Sequence, residues 1–487
     1  MKRKLLSVVL STAMAATVLA GCGSSAAPAA TGSETADTEA AAEEGAATED
    51  AAAEDTAEET ADDTAAADTP ENVVDGDIDA EDAFVIYGWN EDVKNSVVKA
   101  FSEKYPEDAK RIVFVNTGGT DYYQGKIDPL LEDPSNKYYP DMFAMEMDYI
   151  LKYTDSDYTL AMDELGFTDA DYANMYGYTV EAATVDGKVK GLSWQAAPGC
   201  MVYRRSLADK YLGVSEPEDV QEFFKDWDTV KETAQIIQDK SEGKTRLYCG
   251  YTELQRPYMA QRTEAWLDAD CNLKIDPEMI KYMEDSKEYV DKGYASAGSA
   301  DQQWQDNWSA LKGSDEIFAF TSCTWFNQWC LLGNFEENFP DAAHDWGMIQ
   351  GPCEFYWGGT WLGVGSGCSD TEMAAKVLSV LCDKDAMKSI YTNTSDFPNN
   401  KETVKELIAA NEENDVVKML GGQNFLEFFA PIAENIKLPK MCGEDFYINN
   451  FWNNEITTYV TGEKDLDTAI ADFKTAVKEM YDYVNVE

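Results

Sequence analysis

The chain has 487 residues, of which 91 are Asp or Glu and 39 are Lys or Arg, so its formal net charge is −52. This charge argues against nucleic acid and anionic lipid as direct partners, because their phosphates repel an acidic protein. The single histidine, His344, excludes paired-His zinc motifs and leaves a Ser-His-Asp triad little room. Without a Walker loop or a complete dinucleotide fingerprint, we expect neither a cofactor nor a metal ion.

Residues 1–21 have the pattern of an export signal. Three basic residues at positions 2–4 precede an apolar segment, residues 5–20, that is too short for a confident membrane span. The sequence Leu19-Ala-Gly-Cys22 resembles the lipobox of bacterial lipoproteins. The resemblance implies a lipidated Cys22 as the mature N-terminus, where two acyl chains, at about 0.8 kcal/mol per buried methylene, make a stable membrane anchor. Cleavage and secretion without lipid is the alternative.

The segment that follows, residues 22–82, cannot bury a core. Residues 23–82 contain no Lys, Arg or aromatic residue, and 20 acidic residues lie between positions 31 and 82. Like charges repel one another, so we predict a disordered, extended tether despite its alanine content. About 60 residues of coil would span roughly 40 to 45 Å.

The remaining residues, 83–487, are too many for one hydrophobic core, which stops growing near 250 to 300 residues. We therefore predict an α/β protein of two lobes. Nine cysteines follow Cys22 without a Cys-x-x-Cys pair, so neither a zinc ribbon nor a full disulfide framework is readable. The predicted division is lobe I at 83–198, lobe II at 199–361, a return to lobe I at 362–420, and C-terminal helices, mainly of lobe II, at 421–487.

Lobe I begins with a predicted βαβαβ unit whose strands are residues 84–89, 111–116 and 141–147. Ligands of open α/β sheets bind outside the carboxyl ends of parallel strands. We therefore expect a ligand site at this edge of the sheet. The candidate residues there are Trp89, Asn90, Asp121, Glu146 and Asp148. Helix N-capping is the alternative role of Asp121 and Asp148.

A crossing between the lobes is predicted in residues 187–213. A short strand-like run ends at Trp194, Pro198 interrupts it, and a second run leads into a helical pattern. This crossing would place Trp194 and Gln195 at the mouth of an inter-lobe cleft, where small-molecule sites are common. The alternative is a surface hairpin with a half-buried tryptophan.

Three more tryptophans follow predicted strands of the second half. Trp325 comes after the strand 316–321, and Trp357 and Trp361 lie in the aromatic loop after the strand 346–350. A strand at 362–366 would return to lobe I. We expect all three indoles to face the cleft, with burial in the core as the competing role.

The order of segments resembles that of ABC-transporter extracellular solute-binding proteins of the sugar-carrying branch (family 1, maltose-binding-protein-like). Matching pieces are the lipobox, the first strand and helix, Tyr139-Pro-Asp-Met142, residues 187–194 of the crossing with the following Tyr203-Arg, Trp227-Asp-Thr229, and the stretch 313–325. The resemblance covers nearly all of residues 83–487. Residues 317–321 lack the family's usual Ala-Met, so fine specificity does not transfer.

The resemblance implies a two-lobed periplasmic-binding-protein-like fold (type II) that closes around a solute. It implies a monomeric binding lipoprotein, not an enzyme, on the outer face of the cytoplasmic membrane, which captures a carbohydrate and delivers it to an ABC permease. Sugars present flat C–H faces rimmed by hydroxyls, so tryptophans with carboxylate and amide groups suit them.

Two other functions remain open from the sequence. Relatives that bind cationic solutes such as polyamines also use Trp and carboxylates, and an acidic protein attracts cations. An extracellular glycosidase would also combine paired carboxylates with tryptophan platforms. Titration with polyamines and an assay for released reducing sugar distinguish these functions from sugar binding.

Overall fold

The computed structural model describes residues 73–118, 122–298, 314–327, 345–410 and 415–486. The strands are β1 (Val73–Asp75), β2 (Phe84–Gly88), β3 (Ile112–Asn116), β4 (Met142–Glu146), β5 (Thr184–Val185), β6 (Lys188–Val189), β7 (Leu192–Ser193), β8 (Gly199–Arg204), β9 (Ala319–Cys323), β10 (Trp346–Ile349) and β11 (Thr360–Val364).

The helices are α1 (Lys99–Lys104), α2 (Asp128–Leu131), α3 (Ile150–Thr154), α4 (Gly177–Ala182), α5 (Arg205–Leu212), α6 (Pro217–Gln221), α7 (Trp227–Ser241), α8 (Gln255–Ala260), α9 (Pro277–Asp291), α10 (Thr371–Cys382), α11 (Lys384–Thr394), α12 (Lys401–Ala410), α13 (Asp415–Met419), α14 (Phe425–Asn435), α15 (Asp445–Val460) and α16 (Leu466–Met480). Two π-helical segments, Lys94–Val98 and Tyr122–Ile127, lead into α1 and α2, and 3₁₀ turns lie at Asp108–Arg111, Met147–Tyr149, Met162–Leu165 and Tyr251–Leu254. Within the described ranges, none of these helices is long and apolar enough to cross a membrane.

Lobe I is built on a six-stranded sheet in the order β1-β3-β2-β4-β11-β7. Strand β2 pairs in parallel with β3 and β4, so the predicted βαβαβ unit is present within its predicted bounds. Every residue of β2 is buried, as are the first four residues of β3 and of β4. Strands covered on both faces need continuous apolar runs, which explains why this unit was readable from the sequence.

The predicted tether extends too far toward the C-terminus. Residues Val73–Asp75 form the edge strand β1, antiparallel to β3, with Val73 opposite Asn116. The side chains of Val73 and Val74 are 64% and 42% exposed, so backbone pairing and an ion pair between Asp75 and Lys94 at 2.9 Å place this strand. An exposed edge strand buries no apolar side chain, so it has no apolar pattern that would distinguish it from the rest of residues 23–82. The sequence analysis therefore missed it.

Lobe II is built on an antiparallel sheet of three strands, β10-β8-β9. Alternate residues of the central strand β8 enter different cores, because side chains alternate across a strand. Cys200 and Val202 join the core of lobe I, whereas Met201 and Tyr203 join the core of lobe II. The lobes are therefore packed against each other through one face of this sheet.

The helices of residues 421–487 pack on both lobes. Helix α14 packs on α4 and α12, and its Phe425 and Phe429 lie in the core of lobe I. Helices α15 and α16 pack on each other and α15 on α9, in the core of lobe II.

Two chain crossings, one between β7 and β8 and one between β10 and β11, lie side by side. The amide of Gly199 donates to the carbonyl of Phe355 at 2.8 Å, and the amide of Trp357 donates to the carbonyl of Ala197 at 3.0 Å. The second crossing continues through Gly358 and Gly359, whose φ angles are 71° and 118°. Residues other than glycine rarely adopt such angles, so this turn requires its glycines.

The close approach of the crossings gives a testable prediction. A Cβ atom at Gly199 would overlap the ring of Phe355, whereas a Cβ atom at Gly177, the first residue of α4, would meet nothing within 4 Å. We expect Gly199→Ala to lower the free energy of unfolding by about 1–3 kcal/mol through overpacking, and Gly177→Ala to leave it unchanged or higher. Thermal unfolding of both variants measures this, and equal melting temperatures would contradict it.

Candidate functional site

A column of aromatic rings runs from the carboxyl ends of the lobe I strands to lobe II. Trp89, which follows β2, contacts Tyr122 edge-on at 5.4 Å, and Tyr122 contacts Tyr123 edge-on at 4.7 Å. Tyr123 stacks on Tyr149 at 3.8 Å. Tyr149 then stacks at 4.0 Å on Phe446 in helix α15 of lobe II. The column therefore joins the strand ends to the opposite lobe.

Glu146, the last residue of β4, lies half-buried at the same edge. Its carboxylate accepts a hydrogen bond from the amide of Asp148 at 2.6 Å and so caps the 3₁₀ turn Met147–Tyr149. The residue that caps this turn is therefore Glu146, and not Asp148, for which capping was the alternative role. Burial is the main cause that raises the pKa of Glu146 to about 8, and the charge of Asp148 raises it further, while Arg256 opposes both. A carboxyl group that holds its proton near neutral pH can donate a hydrogen bond as well as accept one.

The Asp148 carboxylate pairs with Arg256 of helix α8, across the two lobes. The Nη1–Oδ1 and Nη2–Oδ2 distances are 2.8 and 2.9 Å, so the pair is bidentate. The two side chains are only 26% and 21% exposed. A bidentate, charge-assisted pair with little solvent around it fixes geometry better than a surface ion pair. The Asp148–Arg256 pair thus holds the lobes together in this structure.

Trp325 and Trp357 meet beside this pair. The indole Nε1 of Trp325 donates to the carbonyl of Trp357 at 2.8 Å, and the two rings lie edge to face at 5.2 Å. The Arg256 guanidinium lies 6.0 Å from the Trp357 ring centroid. A Cβ atom built on Gly358 would lie 3.2 Å from Trp325 Nε1 and 3.4 Å from Glu146 Oε1. Glu146, Asp148, Trp325 and Trp357 are therefore brought together where the lobes meet.

Three other predicted site residues are not part of the group formed by Glu146, Asp148, Trp325 and Trp357. Gln195 is 8% exposed and donates from Nε2 to Oγ1 of Thr360, the strand partner of Glu146, at 3.2 Å. The side-chain amide of Asn90 is bonded locally, donating to the carboxylate of Asp92 at 2.7 Å and accepting from its amide at 3.0 Å. Asp121 lies outside the described residues.

The prediction that Trp194 and Trp361 face the cleft is wrong. Trp194 is 0% exposed and Trp361 is 1% exposed, and both lie in the core of lobe I. Their indole nitrogens donate to Asp396 Oδ2 at 3.0 Å and to the carbonyl of Thr179 at 2.8 Å. Since side chains alternate along β11, Thr360 lies toward Gln195 and Trp361 lies on the opposite face, against α4.

Several polar residues between the lobes were not predicted from the sequence. A cavity of about 30 Å³ lies beside the Asp148–Arg256 pair. This space suits about one water molecule, so a sugar ring can enter only when the lobes separate. Scattered Arg, Tyr and Asn residues of lobe II carry no motif, and none of them was predicted. The polar residues that line the cavity are Asp148, Arg256, Arg262, Tyr356, Asp445 and Asn449.

The groups on this surface can make several kinds of contact with a ligand. Across the described ranges, no group of three or more His, Cys, Asp or Glu side chains is placed to hold a metal ion. The surface offers aromatic rings, one carboxyl of raised pKa and a carboxylate–guanidinium pair, which together can stack on a ligand and exchange hydrogen bonds with it.

Two α/β lobes with such a surface between them define a solute-binding protein of the periplasmic-binding-protein-like fold. Residues 96–418 match the family described as bacterial extracellular solute-binding protein, and the chain belongs to this family. No curated protein matches the sequence.

Solved structures share the fold at low sequence identity. An extracellular solute-binding protein of family 1 is 18% identical with a TM-score of 0.69, over 83% of this chain and all of that one. The sugar-binding protein MalE of Xanthomonas citri is 17% identical, with a TM-score of 0.64 over 82% and 96%. An ABC-transporter-associated binding protein of B. animalis subsp. lactis, in complex with β-1,6-galactobiose, is 17% identical with a TM-score of 0.59 over 83% and 99%.

The raised pKa of Glu146 predicts a pH dependence of stability. Between the usual glutamate pKa, near 4.5, and about 8, folded Glu146 holds a proton that the unfolded chain has released. Stability from this group is therefore greatest at low pH and falls as pH rises toward 8, by at most about 1.4 kcal/mol per pH unit. We expect Glu146→Gln to flatten the fall between pH 5 and 8. Thermal unfolding across this range, with the exposed Glu132→Gln as control, measures it; equal slopes in both variants would contradict it.

Proposed function

We propose that this protein captures a carbohydrate, most simply an oligosaccharide, in the cleft between its lobes and delivers it to an ABC permease. The observation that carries the proposal is the meeting of Trp325 and Trp357 with Glu146 and the Asp148–Arg256 pair where the lobes touch. Indole faces stack on the apolar faces of sugar rings, and carboxyl and guanidinium groups exchange hydrogen bonds with the hydroxyls around them. Structural neighbours described as bound to maltose, maltotetraose and β-1,6-galactobiose support this ligand class.

Capture requires the lobes to move apart and together. Opening breaks the Asp148–Arg256 pair and the stack of Tyr149 on Phe446, because each joins the two lobes. A saccharide that contacts both lobes restores an equivalent set of contacts and shifts the population toward the closed form. Delivery follows when the permease recognises the closed form.

A cationic solute such as a polyamine fits this surface less well. Two guanidinium groups, of Arg256 and Arg262, line the cavity, and Asp148 and Asp445 already pair with them. The carboxyl of Glu146, with its pKa raised to about 8 by burial, is mostly uncharged at neutral pH. Little negative charge therefore remains to hold a cation.

Replacing Trp325 tests the saccharide site. Burying roughly 60 Å² of indole against a sugar at about 25 cal/mol per Å² contributes ~1.5 kcal/mol. Trp325→Ala should therefore weaken saccharide binding about tenfold or more, and Trp325→Phe, which keeps a ring, should weaken it less. Calorimetric titration with maltose, maltotetraose, β-1,6-galactobiose and spermidine gives the affinities, and a reducing-sugar assay checks for hydrolysis.

The control for this prediction is Trp194→Phe in the core of lobe I, which should lower the melting temperature and leave affinity nearly unchanged. A Trp325→Ala protein with a much lower melting temperature and wild-type affinity would show that Trp325 is a core residue. Binding of spermidine without any saccharide would replace the proposed ligand class.

The proposal includes a lipid anchor on Cys22, which lies outside the described residues. An anchored binding protein stays at the outer face of the cytoplasmic membrane, close to its permease. We expect Cys22→Ala to lose lipidation and to leave the membrane fraction, whereas Cys442→Ala, which keeps Leu19-Ala-Gly-Cys22 intact, should not. Cell fractionation measures this, and wild-type membrane retention of Cys22→Ala would overturn the anchor.

A further inference from the structure

Arg262 is the most deeply buried cation of the cavity between the lobes. The residue is 5% exposed and lines the cavity together with Arg256, Tyr356 and Asn449. Its Nη2 donates to the carboxylate of Asp445, the first residue of α15. Its guanidinium also lies 5.4 Å from the ring centroid of Trp266. These contacts hold the group in place.

Most donors of this guanidinium are unused. The Nε and Nη1 atoms of Arg262 are buried and have no hydrogen-bond partner among the described residues. A guanidinium carries five N–H donors, of which Nε and Nη1 account for three. Leaving buried donors of a charged group unsatisfied is unfavourable, so a site with such donors favours a ligand that accepts hydrogen bonds.

Arg204 shows that the unused donors are a property of the site and not of buried arginines in this protein. Arg204, also of lobe II, is 7% exposed, pairs with Asp345, and lies 5.4 Å from the ring centroid of Trp346. Its remaining nitrogens also have partners, the carbonyl of Ser314 at 3.4 Å from Nη1 and Asp315 at 3.8 Å from Nη2. Arg262 thus shares with Arg204 the pairing with an aspartate and the contact with a tryptophan ring, but it lacks partners for its remaining nitrogens.

Contacts within the protein engage polar atoms of three other residues that line the cavity. Arg256 directs both terminal nitrogens at Asp148. The hydroxyl of Tyr356 contacts the Met441 sulfur at 3.7 Å, and the carbonyl oxygen of Asn449 accepts from Trp266 Nε1 at 2.6 Å. Among the described residues that line the cavity, only Arg262 has buried side-chain nitrogens without a hydrogen-bond partner.

We propose that Arg262 is a specificity-determining residue of the cleft, whose Nε and Nη1 donate to oxygen atoms of the bound saccharide when the lobes close. The inference rests on the proposed function. The shared chemistry is an oxygen that accepts hydrogen bonds, supplied either by a hydroxyl or ring oxygen of a neutral sugar or by the carboxylate of a uronic acid.

The test compares Arg262→Lys with Arg204→Lys by calorimetric titration of the whole protein. Lysine keeps a positive charge beside the aspartate in each case, but it removes the Nε and Nη1 donors. The probes are maltose, maltotetraose and β-1,6-galactobiose as neutral sugars, and digalacturonate as the acidic sugar. We expect Arg262→Lys to weaken binding at least tenfold, equivalent to about 1.4 kcal/mol, and Arg204→Lys to stay within twofold of wild type.

The outcomes separate this inference from the proposed function. A wild-type protein that binds a saccharide, with Arg262→Lys binding it as tightly, overturns the role of Arg262 alone. A wild-type protein that binds none of the probes overturns the proposed ligand class, and the role of Arg262 with it. A loss confined to digalacturonate identifies a carboxylate as the acceptor, and a loss with the neutral sugars identifies a hydroxyl or ring oxygen.

Protein folding is checked by thermal unfolding of each variant. Should Arg262→Lys not fold, the double variant Arg262→Gln/Asp445→Asn removes both charges and avoids an unpaired buried aspartate. Its affinity is compared with that of Asp445→Asn alone. We expect the double variant to bind at least tenfold more weakly than the single one, and equal affinities would overturn the inference.

Discussion

The two hydrogen bonds between the chain crossings, from Gly199 to Phe355 and from Trp357 to Ala197, are the constraint on which the site depends. Each crossing is anchored at both ends by a strand, β7 and β11 in the large sheet and β8 and β10 in the small one. The crossings are therefore held side by side with few free backbone angles. Because Trp357 and Gly358 belong to the second crossing, Trp325 of lobe II and Glu146 of lobe I both come close to Gly358.

The electrostatics of the cleft differ from those of the whole protein. The chain carries a net charge of −52, yet Asp148 and Asp445 are matched by Arg256 and Arg262. Burial raises the pKa of Glu146 to about 8, which removes most of a further negative charge at neutral pH. A nearly neutral surface inside an acidic protein suits a polar, uncharged solute, and the surplus acid elsewhere serves solubility.

The parts of the molecule that could be predicted are those marked by a pattern within one short stretch of sequence. Continuous apolar runs identified β2, β3 and β4, and the interrupted strand at Pro198 identified the crossing. The direction of an aromatic side chain at a strand end is not local, because a shift of one residue changes the face of the sheet. Trp325 and Trp357 are partly exposed, whereas Trp194 and Trp361 are buried.

The polar residues of the cleft were missed for a related reason. Arg256 and Arg262 are more than a hundred residues from Asp148 and Asp445, and only the assembled lobes bring each pair together. A single arginine in a short helix, as Arg256, or just after it, as Arg262, has no periodicity or motif that marks it. Pairings at such sequence distances become visible only once the fold is known.

The edge strand β1 determines how a pull on the N-terminal segment is transmitted. Tension applied ahead of Val73 enters the sheet through three residue pairs with β3, and none of the three β1 residues is buried. The buried strands β2 and β3 share five pairs deeper in the sheet. We therefore expect a pull on the N-terminal segment to detach β1 before it disturbs the buried strands that carry the candidate site.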